Sequence, residues 1–255
     1  MQPRANARYG WIPDVPDQRD LVFSVDREVA ATLPARVDLR PACPPVYDQG
    51  QLGSCTANAI AGAYEFDQRK QGLRDFVPSR LFVYYNERVV EGTVDSDSGA
   101  MLRDGIKVVH ALGVCTERSW PYVVERFREK PPATCFDAAT RHEALVYRRV
   151  PQDLAHMKAC LASGYPFVIG FTVYESFESA SVARTGDVPM PGRDERVVGG
   201  HAVLVVGYDD AAERFWMRNS WGTAWGAEGY FRMPYAYAAD GRLAQDLWTI
   251  TTVES

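Results

Sequence analysis

The chain has 255 residues, of which 46% are hydrophobic and 12% aromatic, and its formal net charge is −5. This composition is typical of a globular protein with a sizeable core and excludes a disordered chain. The negative charge argues against a nucleic-acid partner, whose binding surfaces are usually basic. No apolar run approaches the ~18 residues of a membrane-spanning helix, so we expect no membrane partner either.

The first 32 residues differ from the rest of the chain. Residues 1–9 are polar and rich in Arg, without the apolar stretch of a secretory signal. We therefore expect a cytoplasmic protein, with export by a machine that uses no N-terminal signal as the alternative. Pro13 and Pro16 prevent a continuous helix in the following residues. We divide the chain into an N-terminal extension, residues 1–32, and a main domain, residues 33–255.

Helices are predicted in the first part of the main domain. Apolar positions between Cys55 and Lys70 fall at helical spacing, and we expect Ser54 to cap this helix and Gly72 to end it. Three more helices are predicted from Ser79 to about Val90, around Leu102–Val109 and around Leu154–Leu161, each stopped by a glycine (Gly92, Gly113, Gly164). The basic run from Arg141 to Arg149 is interpreted as a solvated face.

Strands are predicted in the last third of the chain. Short β-rich runs between turn signals lie at residues 167–173, 202–207, 214–218, 230–233 and 247–253. Helices followed by strands predict an α+β fold.

Four side chains form a candidate catalytic set. Cys55 opens the first predicted helix, where the unpaired N–H groups and the helix dipole favour a thiolate. Gln49 precedes it by six residues and can offer its side-chain amide to a developing oxyanion. His201, between Gly200 and Ala202, can act as the base, and Asn219 can fix its tautomer.

These motifs resemble the papain-like cysteine proteases. The stretch Asp48–Ala59 matches the family's glutamine and nucleophile at Gln49 and Cys55, and Gly199–Val203 and Arg218–Gly222 match its histidine and asparagine at His201 and Asn219. The likeness runs from the mature-like start at Pro34–Arg40 to about Phe231 and is nearest to bacterial members with a Leu-Gly-Ser-Cys-Thr-Ala-Asn core. The separation of Cys55 from His201 lies inside the family's range of about 130–150 residues.

Two departures from the family signature concern residues beside the nucleophile. Leu52 replaces the first cysteine of the usual Cys-Gly-Ser-Cys signature, so the disulfide anchored there is absent. Thr56 replaces the aromatic residue that usually follows the nucleophile. Neither departure removes a catalytic group.

The resemblance implies a fold and a function. We expect a papain-like α+β fold, with a helical left half, a β-barrel-like right half and the active-site cleft between them. The implied function is a cysteine peptidase that hydrolyses peptide or protein substrates through a thioester, with no cofactor and no metal. Two alternatives stay open: an acyltransferase or peptide ligase with the same triad, and a catalytically silent binding module on this scaffold.

The resemblance also places the substrate. Ser98 and Gly99 match the glycine-rich edge whose backbone pairs with an extended substrate, and Trp221 matches the tryptophan that shields the asparagine–histidine contact. The main apolar specificity pocket would be built by four residues, Ala100, Met101, Gly170 and Ala202. We expect a monomer.

The extension and the remaining cysteines leave alternatives. The extension precedes a mature-like start, so it is either a strap packed on the body, which we prefer, or a segment that lies in the cleft and restrains activity. Besides Cys55 the chain has four cysteines, Cys43, Cys115, Cys135 and Cys160, which we interpret as structural. They allow three pairings, and a cytosolic location would keep them reduced.

Overall fold

The computed structural model describes residues 9–25 and 32–254. Within these residues a helical half is followed by a β-sheet half. The helices are α1 (Cys55–Lys70), α2 (Arg80–Glu91), α3 (Leu102–Leu112), α4 (Ala133–Ala139), α5 (Leu154–Ala162), α6 (Ala180–Thr185) and α7 (Tyr235–Ala239). Short 3-10 turns lie at Arg40–Ala42, Val124–Arg126 and Glu175–Glu178.

The strands form two sheets. They are β1 (Trp11–Ile12), β2 (Arg36–Asp38), β3 (Ala100–Met101), β4 (Ala144–Arg149), β5 (Phe167–Tyr174), β6 (Val197–Asp209), β7 (Arg214–Arg218), β8 (Tyr230–Pro234) and β9 (Ala244–Val253). The main sheet has seven strands in the order β4-β9-β5-β6-β7-β8, with β2 added to β6, and every pairing is antiparallel. The small sheet pairs β1 with β3 in parallel.

The long strand β6 joins the two halves. Alternate side chains of a strand point to opposite faces. Leu204 and Val206 pack into the core of the helical half, whereas Val203 and Val205 pack into the aromatic-rich core on the other face of the sheet. Helix α1 packs against this strand and is buried from Cys55 to Gln68. The two cores confirm the α+β fold and place the first residue of α1 at the junction of the halves.

Most of the predicted elements are present, with two corrections. Helix α2 ends at Gly92, whose left-handed φ of 70° suits glycine, as predicted. Ser54 does not cap α1 with its side chain, because its hydroxyl is hydrogen-bonded to Tyr122 Oη at 2.6 Å. The interpretation of Arg141–Arg149 as a solvated face is wrong, since β4 pairs with β9 there and is half-buried along most of its length.

The described part of the extension runs across both halves. Strand β1 lies on β3 of the helical half, and farther along the Arg103 guanidinium, on α3, binds the Asp20 carboxylate at 2.5 Å. Phe23 N then donates to Arg149 O on β4 at 2.8 Å, and Arg149 N donates to Leu21 O at 2.8 Å. No helix within residues 9–25 and 32–254 is both long and apolar enough to cross a bilayer.

Candidate active site

Cys55 is the first residue of α1, and its side chain is fully buried. The next residue, Thr56, donates its hydroxyl to Glu87 Oε2 on α2 at 2.9 Å, and both side chains are buried. Thr56 therefore replaces the usual aromatic residue with a hydrogen bond that holds the start of α1 against α2.

His201 and Asn219 lie on the sheet side of the cleft. His201 is in β6, Asn219 directly follows β7, and His201 Nε2 lies 2.8 Å from Asn219 Oδ1. Because a carboxamide oxygen can only accept, this contact assigns the proton to Nε2. The opposite nitrogen, Nδ1, is then the one that would exchange a proton with a thiol. The Trp221 ring stacks on the imidazole at 4.9 Å between centroids and covers this contact.

Gln49 is held in place from two sides. Its Oε1 accepts from Ser220 Oγ at 2.5 Å, and its Nε2 donates to Leu52 O at 2.9 Å. The backbone adds a third bond, from Gln49 N to Ser220 O at 2.8 Å. An amide nitrogen carries two N–H groups, so one fixes the side chain and the second is the one that an oxyanion would need.

The loop before Cys55 is anchored without the disulfide that the usual family signature implies there. Leu52 is buried in the helical core. Gly53 N donates to the Asp97 carboxylate at 3.0 Å, and Tyr84 Oη donates to the same carboxylate oxygen at 2.5 Å. Gly99 N in turn donates to Tyr84 Oη at 3.2 Å. Asp97 and Tyr84 thus couple the nucleophile loop to the glycine-rich edge by hydrogen bonds.

The N-terminal segment Tyr9–Ile12 lies against this set. Ala100 N donates to Gly10 O at 2.7 Å, which starts the β1–β3 pairing. The fit is close, because a Cβ added to Gly10 would lie 1.7 Å from Gly53 O, and one added to Gly99 would lie 2.1 Å from Gly10 O. The backbone of the extension therefore packs directly on both the nucleophile loop and the glycine-rich edge.

The Trp11 side chain fills a pocket in the sheet wall. Its indole lies so close to Gly170 that a Cβ there would be 2.0 Å from the ring, and its carbonyl lies beside Gly200. The indole Nε1 donates to Asp246 Oδ2 at 3.1 Å. Both Trp11 and Asp246 are buried, so the indole N–H and the carboxylate satisfy one another inside the protein.

Asp14 adds a second buried carboxyl group at this pocket. Asp14 N donates to Asp246 Oδ2 at 2.8 Å, while its own carboxylate accepts from Trp248 Nε1 at 2.9 Å and from Arg103 N at 3.0 Å. Burial and the neighbouring Asp246 carboxylate raise the pKa of Asp14 from 3.8 to about 6. Burial also raises the pKa of Asp246.

Tyr9 covers the histidine from the solvent side. Its ring meets the His201 ring edge to face at 5.9 Å and lies 6.0 Å from Trp221, and its hydroxyl donates to Glu178. With Tyr9, Gly10 and Trp11 in place, the candidate catalytic set is closed to solvent: Cys55 and His201 are 0% exposed, and Gln49 and Asn219 are 1% exposed.

The enclosure disfavours ionisation of the Cys55 thiol. Burial raises the pKa of Cys55 to about 12, and the Glu87 carboxyl acts in the same direction, against the N–H groups of Ala202, Gly10 and Thr56. The thiolate expected from the helix start is therefore disfavoured while the segment is docked, because desolvation outweighs the local dipoles.

Several of the residues predicted to hold substrate contact the extension. Gly99, Ala100 and Met101 meet β1, and Gly170, which pairs with Ala202 across β5 and β6, contacts Trp11. Ser98 turns its hydroxyl onto Gly99 O at 3.1 Å. The sequence analysis missed the roles of Trp11, Asp14, Asp97 and Asp246, since nothing in their local sequence marks partners that are far away in the chain.

A buried cysteine at a helix start, together with a hydrogen-bonded histidine–asparagine pair on the sheet, is the arrangement expected of a thiol peptidase of the papain type. A model of the papain family cysteine proteases matches residues 33–248. The chain therefore belongs to the papain family, and it is a cysteine peptidase, a hydrolase.

Individual relatives agree. The chain is 47% identical to xylellain, a cysteine protease from Xylella fastidiosa, with a TM-score of 0.92 over 100% of this chain and 99% of xylellain. It is 42% identical to the peptidase C1-like protein L477 of Acanthamoeba polyphaga mimivirus, over 96% of this chain and 87% of that protein. Procathepsin B S9 from Trypanosoma congolense shares the fold, with a TM-score of 0.78 at 20% identity over 98% of this chain and 87% of that one.

Proposed function

We propose that this peptidase cleaves peptide bonds with Cys55 as nucleophile and His201 as acid and base, and that the docked N-terminal segment holds it inactive. The observation that carries the first part is the bond of His201 Nε2 to Asn219 Oδ1, which makes Nδ1 the nitrogen that would exchange a proton with the Cys55 thiol. In the reaction the thiol proton passes to Nδ1, and the sulfur attacks the scissile carbonyl carbon. The oxyanion is met by Gln49 Nε2 and the Cys55 N–H.

The rest of the cycle follows from the same groups. The imidazolium gives its proton to the leaving amine, and a thioester remains on Cys55. Neutral His201 then takes a proton from water, the hydroxide attacks the thioester, and the carboxylic acid leaves as the thiol is restored. Asn219 keeps the ring oriented through both halves of the cycle without adding a negative charge.

The direct test compares two cysteine variants. In protein lacking residues 1–32, Cys55→Ala should abolish peptide hydrolysis while the protein still folds, whereas Cys160→Ala should retain it, because the Cys160 thiol is buried beside Tyr165 O on the sheet side. Hydrolysis that persists in Cys55→Ala would refute the mechanism. Mass analysis of the products with and without an added amine nucleophile separates hydrolysis from acyl transfer. If Cys55→Ala changed only the binding of peptide ligands, the protein would be a silent binding module.

The restraint is supported by the peptide group that the segment presents. Gly10 directs its N–H toward the Cys55 thiol, while its carbonyl oxygen accepts from Ala100 N. At this position the segment therefore occupies the space beside the thiol and presents an N–H to it.

A single methyl group tests the restraint in the full chain. Gly10→Ala cannot dock without displacing Gly53, whose oxygen would lie 1.7 Å from the new Cβ, so this variant should show raised turnover and faster labelling of Cys55 by a thiol trap. Gly192→Ala is the matched control, because its new Cβ would have no neighbour nearer than 3.8 Å. Equal turnover in the two variants would reject the restraint, as would unchanged activity after deletion of residues 1–32 from a protein that stays folded.

A further inference from the structure

A carboxylate is held at the place where the N-terminal extension crosses from the helical half to the sheet half. Arg103, on α3, donates from Nε to the two oxygens of Asp20 at 3.1 and 3.2 Å and from Nη2 to one of them at 2.5 Å. Arg149, on β4, donates from Nη1 to the same carboxylate at 3.3 Å. One acidic side chain is thus bound by a guanidinium from each half of the protein.

The surroundings of the two arginines are ordered by strand β9. The centroid of the Trp248 ring lies 5.6 Å from the guanidinium carbon of each arginine, and Arg149 Nη2 lies 3.5 Å from Asp246 Oδ1. A planar guanidinium binds a carboxylate through charge-assisted hydrogen bonds, which are stronger than neutral ones. Trp248 and Asp246 belong to the main domain, so they hold this pair of arginines whether or not the extension is docked.

The hydrogen bonds of the Arg103 side chain go to the extension. Its Nη1 donates to Val15 O, while Nε and Nη2 donate to Asp20, and the side chains of Arg103 and Asp20 are each only 6% exposed. In residues 9–25 and 32–254, the ion pair of this guanidinium is the one with Asp20. Departure of the extension therefore removes all these partners together, and leaving such a charge unpaired is costly. A carboxylate from another molecule would restore the lost bonds.

A third cation extends the site along α3. Lys107, one turn after Arg103, has its Nζ 3.7 Å from Asp17 Oδ2. The extension thus presents Asp17 and Asp20 to three cations of the main domain, although the whole chain has a net charge of −5. These cations lose their partners on the extension when it leaves, which favours an acidic peptide over a neutral one.

The site lies on the path of a peptide bound in the cleft. Strand β3 is part of the edge expected to pair with substrate, and Arg103 follows it by two residues. In the structure β1 occupies this edge, and the extension continues directly to α3, where Asp14 accepts from Arg103 N at 3.0 Å. A peptide that pairs with β3 can therefore reach the two arginines with the residues that continue beyond the strand.

We propose that Arg103 and Arg149 form a second recognition site of this peptidase, which takes the carboxylate of an acidic residue in a peptide substrate after Asp20 has left. The substrate role rests on the proposed function, whereas binding of a carboxylate by the two arginines does not. No covalent bond changes at this site. It adds affinity for acidic peptides at a distance from the reacting atoms.

Chemical rescue in the full-length protein tests the site itself. Asp20→Ala removes the carboxylate and leaves both arginines, and a cavity of about 310 Å³, lined in part by Lys107 and Tyr147, gives a small ion access. Acetate should then raise the melting temperature of Asp20→Ala by roughly 2–4 °C above its value in chloride of the same ionic strength. The melting temperature of the wild type, whose site holds Asp20, should be the same in both salts.

Arginine variants assign the acetate response. Asp20→Ala/Arg103→Gln should lose the response. Asp20→Ala/Arg242→Gln is the matched control and should keep it, because Arg242 is 88% exposed and pairs with Asp240 elsewhere on the surface. No response in Asp20→Ala would overturn the site, and a response that persists without Arg103 would show an adventitious ion only.

Pairs of peptides test the acidic substrate. Each pair carries Asp or Asn at one position, scanned along an otherwise identical peptide, and is offered to full-length Gly10→Ala, in which the extension is displaced. At one position kcat/KM for the Asp peptide should exceed that for the Asn peptide by about tenfold. Adding Arg103→Gln should bring this ratio close to one, whereas adding Arg242→Gln should leave it unchanged.

The outcomes of the peptide test separate the proposals. Equal kcat/KM for every pair would overturn the substrate role and leave the arginines as an anchor for the extension alone. Absence of turnover with every peptide would instead count against the proposed function. The acetate response does not depend on turnover, so it decides the carboxylate site in either case, and it also decides the site if Gly10→Ala fails to fold. If Asp20→Ala fails to fold, the peptide pairs decide it, since they use a chain with Asp20 intact.

Discussion

The Asp14 carboxyl group should make docking of the N-terminal segment depend on pH. Asp14 lies on the segment and is buried beside Asp246. The charged groups around the two carboxyl groups are the Arg103 guanidinium, the Asp20 carboxylate and the Arg149 guanidinium, which pairs with Asp246. Its pKa is 3.8 when solvated and about 6 when docked. The docked state therefore binds the proton more tightly, so docking is fully favoured below about pH 4 and weakens as the pH rises through 6.

The size of the effect follows from this shift. A change of about two pKa units corresponds to about 3 kcal/mol of docking free energy. Between about pH 4.5 and pH 7 the same shift predicts a roughly 25-fold increase in the released fraction. Asp246 acts in the same direction, since its pKa is also raised by burial under the segment. Asp14→Asn cannot ionise, so it should remove most of this increase and stay closed at neutral pH.

The assay is the rate at which a thiol reagent labels Cys55 in the full chain. Each rate is divided by that of protein lacking residues 1–32, which carries the intrinsic pH dependence of the thiol. The normalised rate should rise with pH in the wild type and rise much less in Asp14→Asn, where the contribution of Asp246 remains. The same slope in both proteins, or labelling that slows as the pH rises, would refute the linkage.

Three further outcomes are expected. Asp97→Ala removes the acceptor for Gly53 N and should lower kcat/KM about tenfold, because a lost hydrogen bond to a charged group is worth roughly 1.5–3 kcal/mol. Asp97→Asn should recover part of this loss, and equal losses in the two variants would show that the hydrogen bond is not the cause. Ser220→Ala removes the hydrogen bond that Ser220 Oγ donates to Gln49 Oε1, and it should lower kcat by about tenfold with little change in KM. Steady-state kinetics of the truncated protein measure both constants, and a change confined to KM would contradict this expectation. Trp11→Ala empties a buried pocket and should weaken docking of the N-terminal segment by about 3–5 kcal/mol. The readout is faster labelling of Cys55 in the full chain, and an unchanged labelling rate would mean that the indole does not hold the segment.

Local signals predicted much of the fold and the catalytic set. Helix α1 was predicted from apolar spacing between Cys55 and Lys70, and the strands of the last third from β-rich runs, because both patterns repeat over short distances. His201 and Asn219 were found because short motifs surround them. Their roles, and that of Gln49, stay proposals that the geometry supports.

Partners far apart in the chain were beyond local patterns. Strand β4 was interpreted as a solvated face because its arginines are typical of exposed positions. Its half-buried character follows from its pairing with β9, which is far away in the sequence. The Trp11–Asp246 bond joins residues 235 positions apart, and an isolated Asp in a sequence gives no sign of burial. The extension was expected mainly as a strap, whereas its described residues lie partly in the cleft. The sequence did not reveal this, because the close fit depends on Gly10, Gly53 and Gly99, which come from separate segments.

The extension also binds the two halves to each other. Asp20 accepts from Arg103 of the helical half and from Arg149 of the sheet half, and Asp246 on β9 holds both Trp11 and Asp14. Whatever frees the cleft therefore also removes contacts that span the junction between the halves. Under the proposed restraint, release of the extension would activate the enzyme and lower its stability, so the open enzyme should unfold and be degraded sooner than the closed one.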